Sequence, residues 1–177
     1  LSLESLVEQF SGRDLPPVKQ WHPENERDID MRIDRAGDWY YNGSKIQRQR
    51  MVALFSSVLR REEEQYFLVT PGEKLRITVE NVPFVALLLR VEGQGSEQQL
   101  IFTDNCGNQT TAGSENPVWM EAGDAEPLPY VMVRDNLPAL IARPVYYQMA
   151  DLLSEQHGAH GLWSSGHFFP LADSSDM

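Results

Sequence analysis

Three histidines near the end of the chain, His157, His160 and His167, are the side chains best suited by type to hold a divalent metal. Imidazole nitrogens suit zinc and its neighbours, and Glu155 just upstream offers a carboxylate. The run "QHGAHG" also carries two glycines, so it reads equally as a helix end and a turn, with His157 near a helix C-terminus where a cation is favoured. A second set is basic. Lys45, Arg48 and Arg50 open an expected helix, and Lys74 and Arg76 lie on a later strand. In an acidic chain such a set suits a small anionic ligand, helped by the free N–H groups of the helix N-terminus. The alternative is surface charge balancing Glu62, Glu63, Glu64, Glu73 and Glu80.

A third group combines "ARPVYY" with "WSSGHFF" and supplies Arg143, Tyr146, Tyr147, Trp163, Ser164, Ser165 and His167. Aromatic, hydroxyl and basic groups together line many ligand pockets, and Arg143 and Trp163 join Arg48, Lys74 and Arg76 in the expected ligand-binding set. A Ser–His hydrolase pair is conceivable, but "SSG" is not the G-x-S-x-G elbow and no acid is placed by the sequence. Asp28, Asp30 and Asp34 share one face of a strand, with Asp38 across a turn, and their oxygens suit a hard cation. Arg32 in the same row favours a solvated face instead. Cys106, in "DNCGN", reads as an exposed loop thiol with no assignable histidine partner. With no Walker loop, Rossmann glycine fingerprint or CxxC pair, no cofactor is expected.

The elements that must position these groups follow from periodicity. "LSLESLVEQF" has the apolar spacing of a short helix, and residues 12–27 form a connector broken by Pro16, Pro17 and Pro23 and pinned by Trp21. Strict alternation from Asp28 to Asp34, a turn at Gly37, and Trp39 and Tyr41 predict a hairpin. The spacing of Met51, Leu54, Phe55, Val58 and Leu59 predicts a helix over residues 45–62, capped by Ser44 and ending on Arg60 and Arg61. "QYFLVT" and "EKLRITVE" form the next strand pair around Pro71-Gly72. "FVALLLRV" is apolar on both faces and predicts a central strand. Later come a hairpin around Asp135-Asn136, a helix opening at Pro144 with Val145 and Met149 inward, and a closing strand in "LWSSGHFFPL".

Hairpin, helix and strand thus occur twice, over residues 29–69 and 130–169. The fold class is α+β, with mainly antiparallel roll-like or barrel-like sheets and two main helices. The domain division is 1–80, of which 1–28 form a helix and connector arm, and 81–177.

The 177 residues carry 15 basic and 26 acidic side chains, a formal charge of −11. Such a chain repels phosphate backbones, so neither nucleic acid nor an anionic membrane is an expected partner. The longest apolar run, residues 84–89, is too short to span a bilayer, and no secretory leader is visible. One cysteine excludes an internal disulfide and fits a reducing, cytoplasmic compartment.

The block "IDRAGDWYYNGSKIQRQRMVALFSSVLRREEEQYFLVTPGEKLRITVENVPF", with "RPVYYQMADL" and "WSSGHFFPL", resembles the proteobacterial domain-of-unknown-function family 1285. One departure is Asn81, where an Asp is expected before the "PF" pair. The resemblance covers most of the chain and implies a bacterial, cytoplasmic, two-lobed α+β fold without an established activity. The leading functional expectation is a non-catalytic binding or regulatory module for a small anionic ligand or a protein partner. The rivals are a small metal-dependent or Ser/His hydrolase and a structural interaction protein acting as a homodimer.

Overall fold

The computed structural model describes residues 15–173, so the helix expected in the first ten residues lies outside the described residues. The chain divides into two compact units, Leu1–Pro83 and Phe84–Met177.

In the first unit, a short 3-10 turn (Val18–Gln20) precedes β1 (Glu26–Ile33), β2 (Trp39–Tyr41) and β3 (Ser44–Lys45). Helix α1 (Gln49–Ser57) follows, then β4 (Leu59–Glu62), β5 (Gln65–Val69) and β6 (Lys74–Val79). The six strands make one sheet in the order β3-β2-β1-β6-β5-β4. Its central pair, β1 and β6, is parallel, and every other pair is antiparallel. Strand β5 is central enough for Tyr66, Phe67, Leu68 and Val69 all to be buried. Trp39 of β2 packs on Phe55 of α1, with ring centroids 6.3 Å apart.

The expected 45–62 helix is corrected to nine residues. Ser44 does not cap it, because Ser44 pairs with Tyr41 in β3, and the N-cap residue Arg48 supplies no capping side chain. The helix ends where Ser56 and Ser57 turn their hydroxyls back onto the carbonyls of Ala53 (2.7 Å) and Leu54 (2.5 Å), a bond that competes with helix propagation. Val58 and Leu59 stay buried although they have left the helix, which is why their spacing mimicked its apolar face. Arg60 and Arg61 consequently lie on a strand. Arg60 pins the connector, donating to the carbonyls of Val18 and of Trp21 (2.6 Å for the latter).

The second unit opens with β7 (Phe84–Glu92), β8 (Gln99–Asp104), β9 (Gln109–Thr111), β10 (Val118–Glu121), β11 (Leu128–Arg134) and β12 (Leu137–Ile141). These form a sheet in the order β10-β11-β12-β7-β8-β9, again with a single parallel pair, β12 and β7, at its centre. Helix α2 (Arg143–Ala150) follows, and a three-stranded antiparallel sheet of β13 (Ser154–Gln156), β14 (Ala159–Ser164) and β15 (His167–Asp173) closes the unit.

Hairpin, helix and strand occur twice in the element order, as β1-β2 with α1 and as β11-β12 with α2. The sheets repeat in a different frame. Counted within each unit, both six-stranded sheets read third, second, first, sixth, fifth, fourth strand. The helix falls between the third and fourth strands in one unit and after the sixth in the other. The fold is α+β, with the strands dominant.

Two-residue loops close five of the hairpins, and their first residues, Asn42, Glu63, Asp135, His157 and Ser165, all take positive φ between 50 and 56°. That geometry matches the right-handed twist of the flanking strands. Gly43, Gly158 and Gly166 supply the second position at three of them, where φ is again positive.

Candidate functional site

The expected metal ligands are not brought together. His157 sits at the tip of the β13–β14 hairpin with φ 51°, not at a helix end, because α2 stops at Ala150 and Ser154–Gln156 is a strand. His160 pairs with Glu155 and Ala172 near that tip, whereas His167 opens β15 beside Ser164, at the other end of the β14–β15 ladder. Four residues of extended chain separate the two levels, about 13 Å. Among the described residues no group of three His, Cys, Asp or Glu is gathered to hold a metal ion. The acidic row is likewise dispersed: Asp28 faces Arg76 (3.6 Å), Asp38 faces Lys45 (3.4 Å), and Asp34 Oδ1 accepts the N–H groups of Ala36 and Asp38.

The ligand-binding set falls in both units. Arg48, Lys74 and Arg76 belong to the first, Arg143 and Trp163 to the second. Lys74 is only 18% exposed and lies between two carboxylates, Glu26 (3.4 Å) and Glu62 (2.7 Å), with its ammonium 4.3 Å from the centre of the Phe67 ring. Arg76 lies over the same ring at 5.6 Å and faces Asp28. Both positive charges are therefore already opposed by carboxylates of the same sheet, and the ring is satisfied by them. Arg48 is exposed at the N-cap of α1. Arg143 begins α2 and pairs with Glu126 at 3.3 Å. Trp163 packs edge-to-face on Phe168, ring centroids 5.3 Å apart, and its carbonyl accepts a hydrogen bond from the Gln98 side chain.

The serines of "WSSGHFF" are structural by their bonding. Ser164 is fully buried; its hydroxyl accepts the Leu100 N–H (2.9 Å) and donates to the Ala112 carbonyl (2.8 Å). The Ser165 hydroxyl donates to the same carbonyl. A nucleophilic serine needs its proton aimed at a base, and both protons are aimed at a backbone oxygen instead. Tyr146 and His160, with Met149, Leu153 and Leu171, line a cleft of ≈ 30 Å³, room for about two water molecules.

Charge burial is concentrated elsewhere. The β8–β9 turn and the end of β11 bring together Asp104, Asn108 and Arg134. The Asp104 carboxylate accepts the N–H groups of Cys106 (2.8 Å) and Asn108 (3.1 Å), and both its oxygens receive the Asn108 amide. Burial nevertheless outweighs those bonds and pushes the carboxyl above its ordinary value. Arg134 donates to the Asn108 side-chain oxygen (3.3 Å) and stacks 5.3 Å from the Phe84 ring centroid; burial lowers its pKa against the attraction of Asp104. The β11–β12 register shifts between Met132 and Arg134, and there the Asn116 amide donates to the carbonyls of Met132 and Val133, at 3.0 Å each. Cys106 lies beside this cluster and is buried, not an exposed loop thiol.

Several large apolar side chains are left exposed, Leu15 and Tyr41 in the first unit among them. In β7 the two consecutive leucines Leu87 and Leu88 are 50% and 64% exposed, and Tyr147 of α2, which packs against β7, is 61% exposed.

Two family models match the chain: "Domain of unknown function (DUF1285), N-terminal domain" over residues 16–82, and "Protein of unknown function (DUF1285), C-terminal domain" over residues 83–171. The chain belongs to the DUF1285 family. A DUF1285 family protein from Silicibacter pomeroyi DSS-3 has a similar crystal structure, with a TM-score of 0.90 and 45% sequence identity, covering 99% of this chain and 97% of that one. A second DUF1285 structure, from Shewanella baltica OS155, gives a TM-score of 0.55 at 25% identity over 68% of this chain and 90% of that one. No curated protein matches the chain.

In this DUF1285 chain the sequence reasoning missed both the buried cluster and the exposed leucines. The cluster had a readable signal: "DNCGN" repeats the pattern of "DRAGD", and both aspartates accept the N–H groups two and four residues on, with Gly37 and Gly107 at φ 88°. The leucines had none, because an apolar run bounded by polar loops reads as buried. Among the described residues no helix is long and apolar enough to cross a membrane.

Proposed function

We propose that this DUF1285 chain is a non-catalytic binding module whose target is a protein partner, and that it works in the cytoplasm. The observation that carries the reading is the exposed apolar group Leu87, Leu88 and Tyr147. The catalytic candidates give no competing support: Ser164, Ser165, Asp104 and the histidines are either engaged in structural bonds or set apart from one another. Large apolar side chains left exposed at adjacent positions, as Leu87 and Leu88 are, commonly mark interaction sites. The single cysteine, buried in its turn, is in keeping with a reducing compartment.

Acidity favours a protein over a polyanion, and its distribution sharpens the point. The first unit has twelve basic and fourteen acidic residues, close to balance, whereas the second has three arginines against twelve carboxylates, a formal charge of −9. Nucleic acid and anionic membrane are disfavoured partners for that unit.

Leu88→Glu tests the reading. The purified variant should keep the wild-type melting temperature, since Leu88 is exposed, yet bind a partner isolated with the wild-type protein and re-purified at least about tenfold more weakly. Thermal stabilisation by inorganic phosphate that Arg48→Ala abolishes would replace the protein-partner reading with a small-anion one.

A further inference from the structure

We infer that β7 is a docking edge for an extended segment of the partner, which adds to the second sheet as a strand and carries basic residues beside its apolar ones. The inference rests on the protein-partner reading above and specifies its mode.

Strand β7 runs over Phe84–Glu92, and its ladder with β8 continues to Glu92. On its other side β12 pairs only with Phe84, Val85 and Ala86, after which the chain turns away into α2. Among the described residues, β7 has a strand on one side alone from Leu87 onward. Two groups from the α2 segment reach that side: the Ala142 N–H bonds the Ala86 carbonyl (3.0 Å), and the Gln148 side chain bonds the Leu89 carbonyl (3.0 Å). The second is an exposed side-chain bond, which an incoming backbone N–H can replace.

Edge strands are usually protected by proline, by charged side chains, by bulges, by brevity or by a covering helix or loop. Here Gln148 of α2 reaches the edge at one carbonyl, and Arg90 and Glu92 are its charged residues. The Leu87–Glu92 stretch has neither proline nor lysine and is long enough to pair with a segment of about six residues. The register shift between Ala86 and Leu88 in the β7–β8 ladder places two leucines opposite Thr103, so both remain exposed where the edge opens. Strand addition combines a backbone ladder with side-chain contacts at alternate positions. Here Leu88 offers the apolar contact and Arg90 with Glu92, an ion pair at 3.2 Å, continues the same strand face. Tyr147 on the helix packed against β7 adds an exposed ring.

Charge selects the occupant. A second copy of this chain would bring together two units that each carry −9, whereas a basic segment is attracted to such a unit.

The test uses the full chain and three synthetic peptides: alternating valine and threonine flanked by lysines, the same core flanked by glutamates, and the lysine form with a central proline. Fluorescence anisotropy should give a Kd below about 1 mM for the lysine peptide, with at least about tenfold weaker binding for the other two. Backbone hydrogen exchange should slow at Leu89 and Val91 in its presence, and Leu88→Glu should abolish both signals. Equal binding of the proline form, protection elsewhere, or no binding overturns the strand-addition mode. Protection of these amides that rises with protein concentration and no peptide overturns the choice of occupant in favour of a second copy. If Leu88→Glu still weakens the purified partner while the peptides fail, only the mode is lost; if it weakens neither, the protein-partner reading falls as well.

Discussion

Leu100 donates its backbone N–H to the hydroxyl of Ser164, 2.9 Å away and 64 positions later in the chain. Because that hydroxyl also donates to the Ala112 carbonyl, one buried oxygen joins β14 to β8 and to the stretch after β9. The residue that looks most like a nucleophile beside His167 is a structural bridge.

Replacing it tests that role. Ser164→Ala leaves a buried N–H without its acceptor, which costs about 1–3 kcal/mol. Urea unfolding should show the loss as a lower midpoint with an unchanged slope.

Asp104 should respond to pH in the sense opposite to a salt-bridged carboxylate. Its folded pKa is raised above the ordinary 3.8 by burial. Between 3.8 and that raised value the folded state therefore binds more protons than the unfolded chain, so this group's contribution to stability falls as pH rises and is flat above the window. In Asp104→Asn the contribution is absent. The stability difference between wild type and variant, followed by urea unfolding across the acid range, should shrink with rising pH and then level off.

Arg60→Ala should loosen the connector and leave the sheet folded. The guanidinium bonds the carbonyls of Val18 and Trp21, and charged hydrogen bonds of this kind contribute about 1.5–3 kcal/mol. Limited proteolysis should cut between Val18 and Arg27 in the variant well before the wild type is cut anywhere in that stretch.

Gly161→Ala should damage the last sheet. A Cβ at Gly161 would overlap the Phe169 carbonyl and come within 2.8 Å of the Pro170 Cα, both backbone atoms of the paired strand. The Phe168 ring is also within 2.7 Å, but its movement cannot relieve the two backbone overlaps. A loss of several kcal/mol is expected, read as a drop in melting temperature together with loss of exchange protection in β14 and β15.

Much of this architecture was legible in the residues. Alternation in Ile29, Met31 and Ile33 gave β1, and Trp39 with Tyr41 after the turn at Gly37 gave β2. What failed did so for identifiable reasons. The strand β4 was concealed in "LRREEEQ", where charged residues fill both exposed faces and the turn uses Glu63 at φ 56°, a residue with no preference for that conformation. The helix before it was overextended because Val58 and Leu59 keep the helical apolar spacing after the helix has ended. At the candidate sites, residue type alone suggested metal, anion and Ser–His chemistry. Which partner each side chain had already taken, Lys74 with Glu26 and Glu62, or Ser164 with Leu100 and Ala112, depends on pairings between distant strands.

The parallel pair at the centre of each six-stranded sheet also constrains how the chain acquires its structure. In the first unit Glu26 lies opposite Lys74, so the first strand waits for the last before either has both neighbours. In the second unit Phe84 lies opposite Ala139. Closing such long loops has to precede the contacts that reward it, which slows folding of β-rich chains. On the ribosome, β1 emerges first and spends the synthesis of the intervening strands with an open flank. Its charged row, Asp28, Asp30, Arg32 and Asp34, then acts before any fold exists, keeping a waiting strand soluble until β6 arrives.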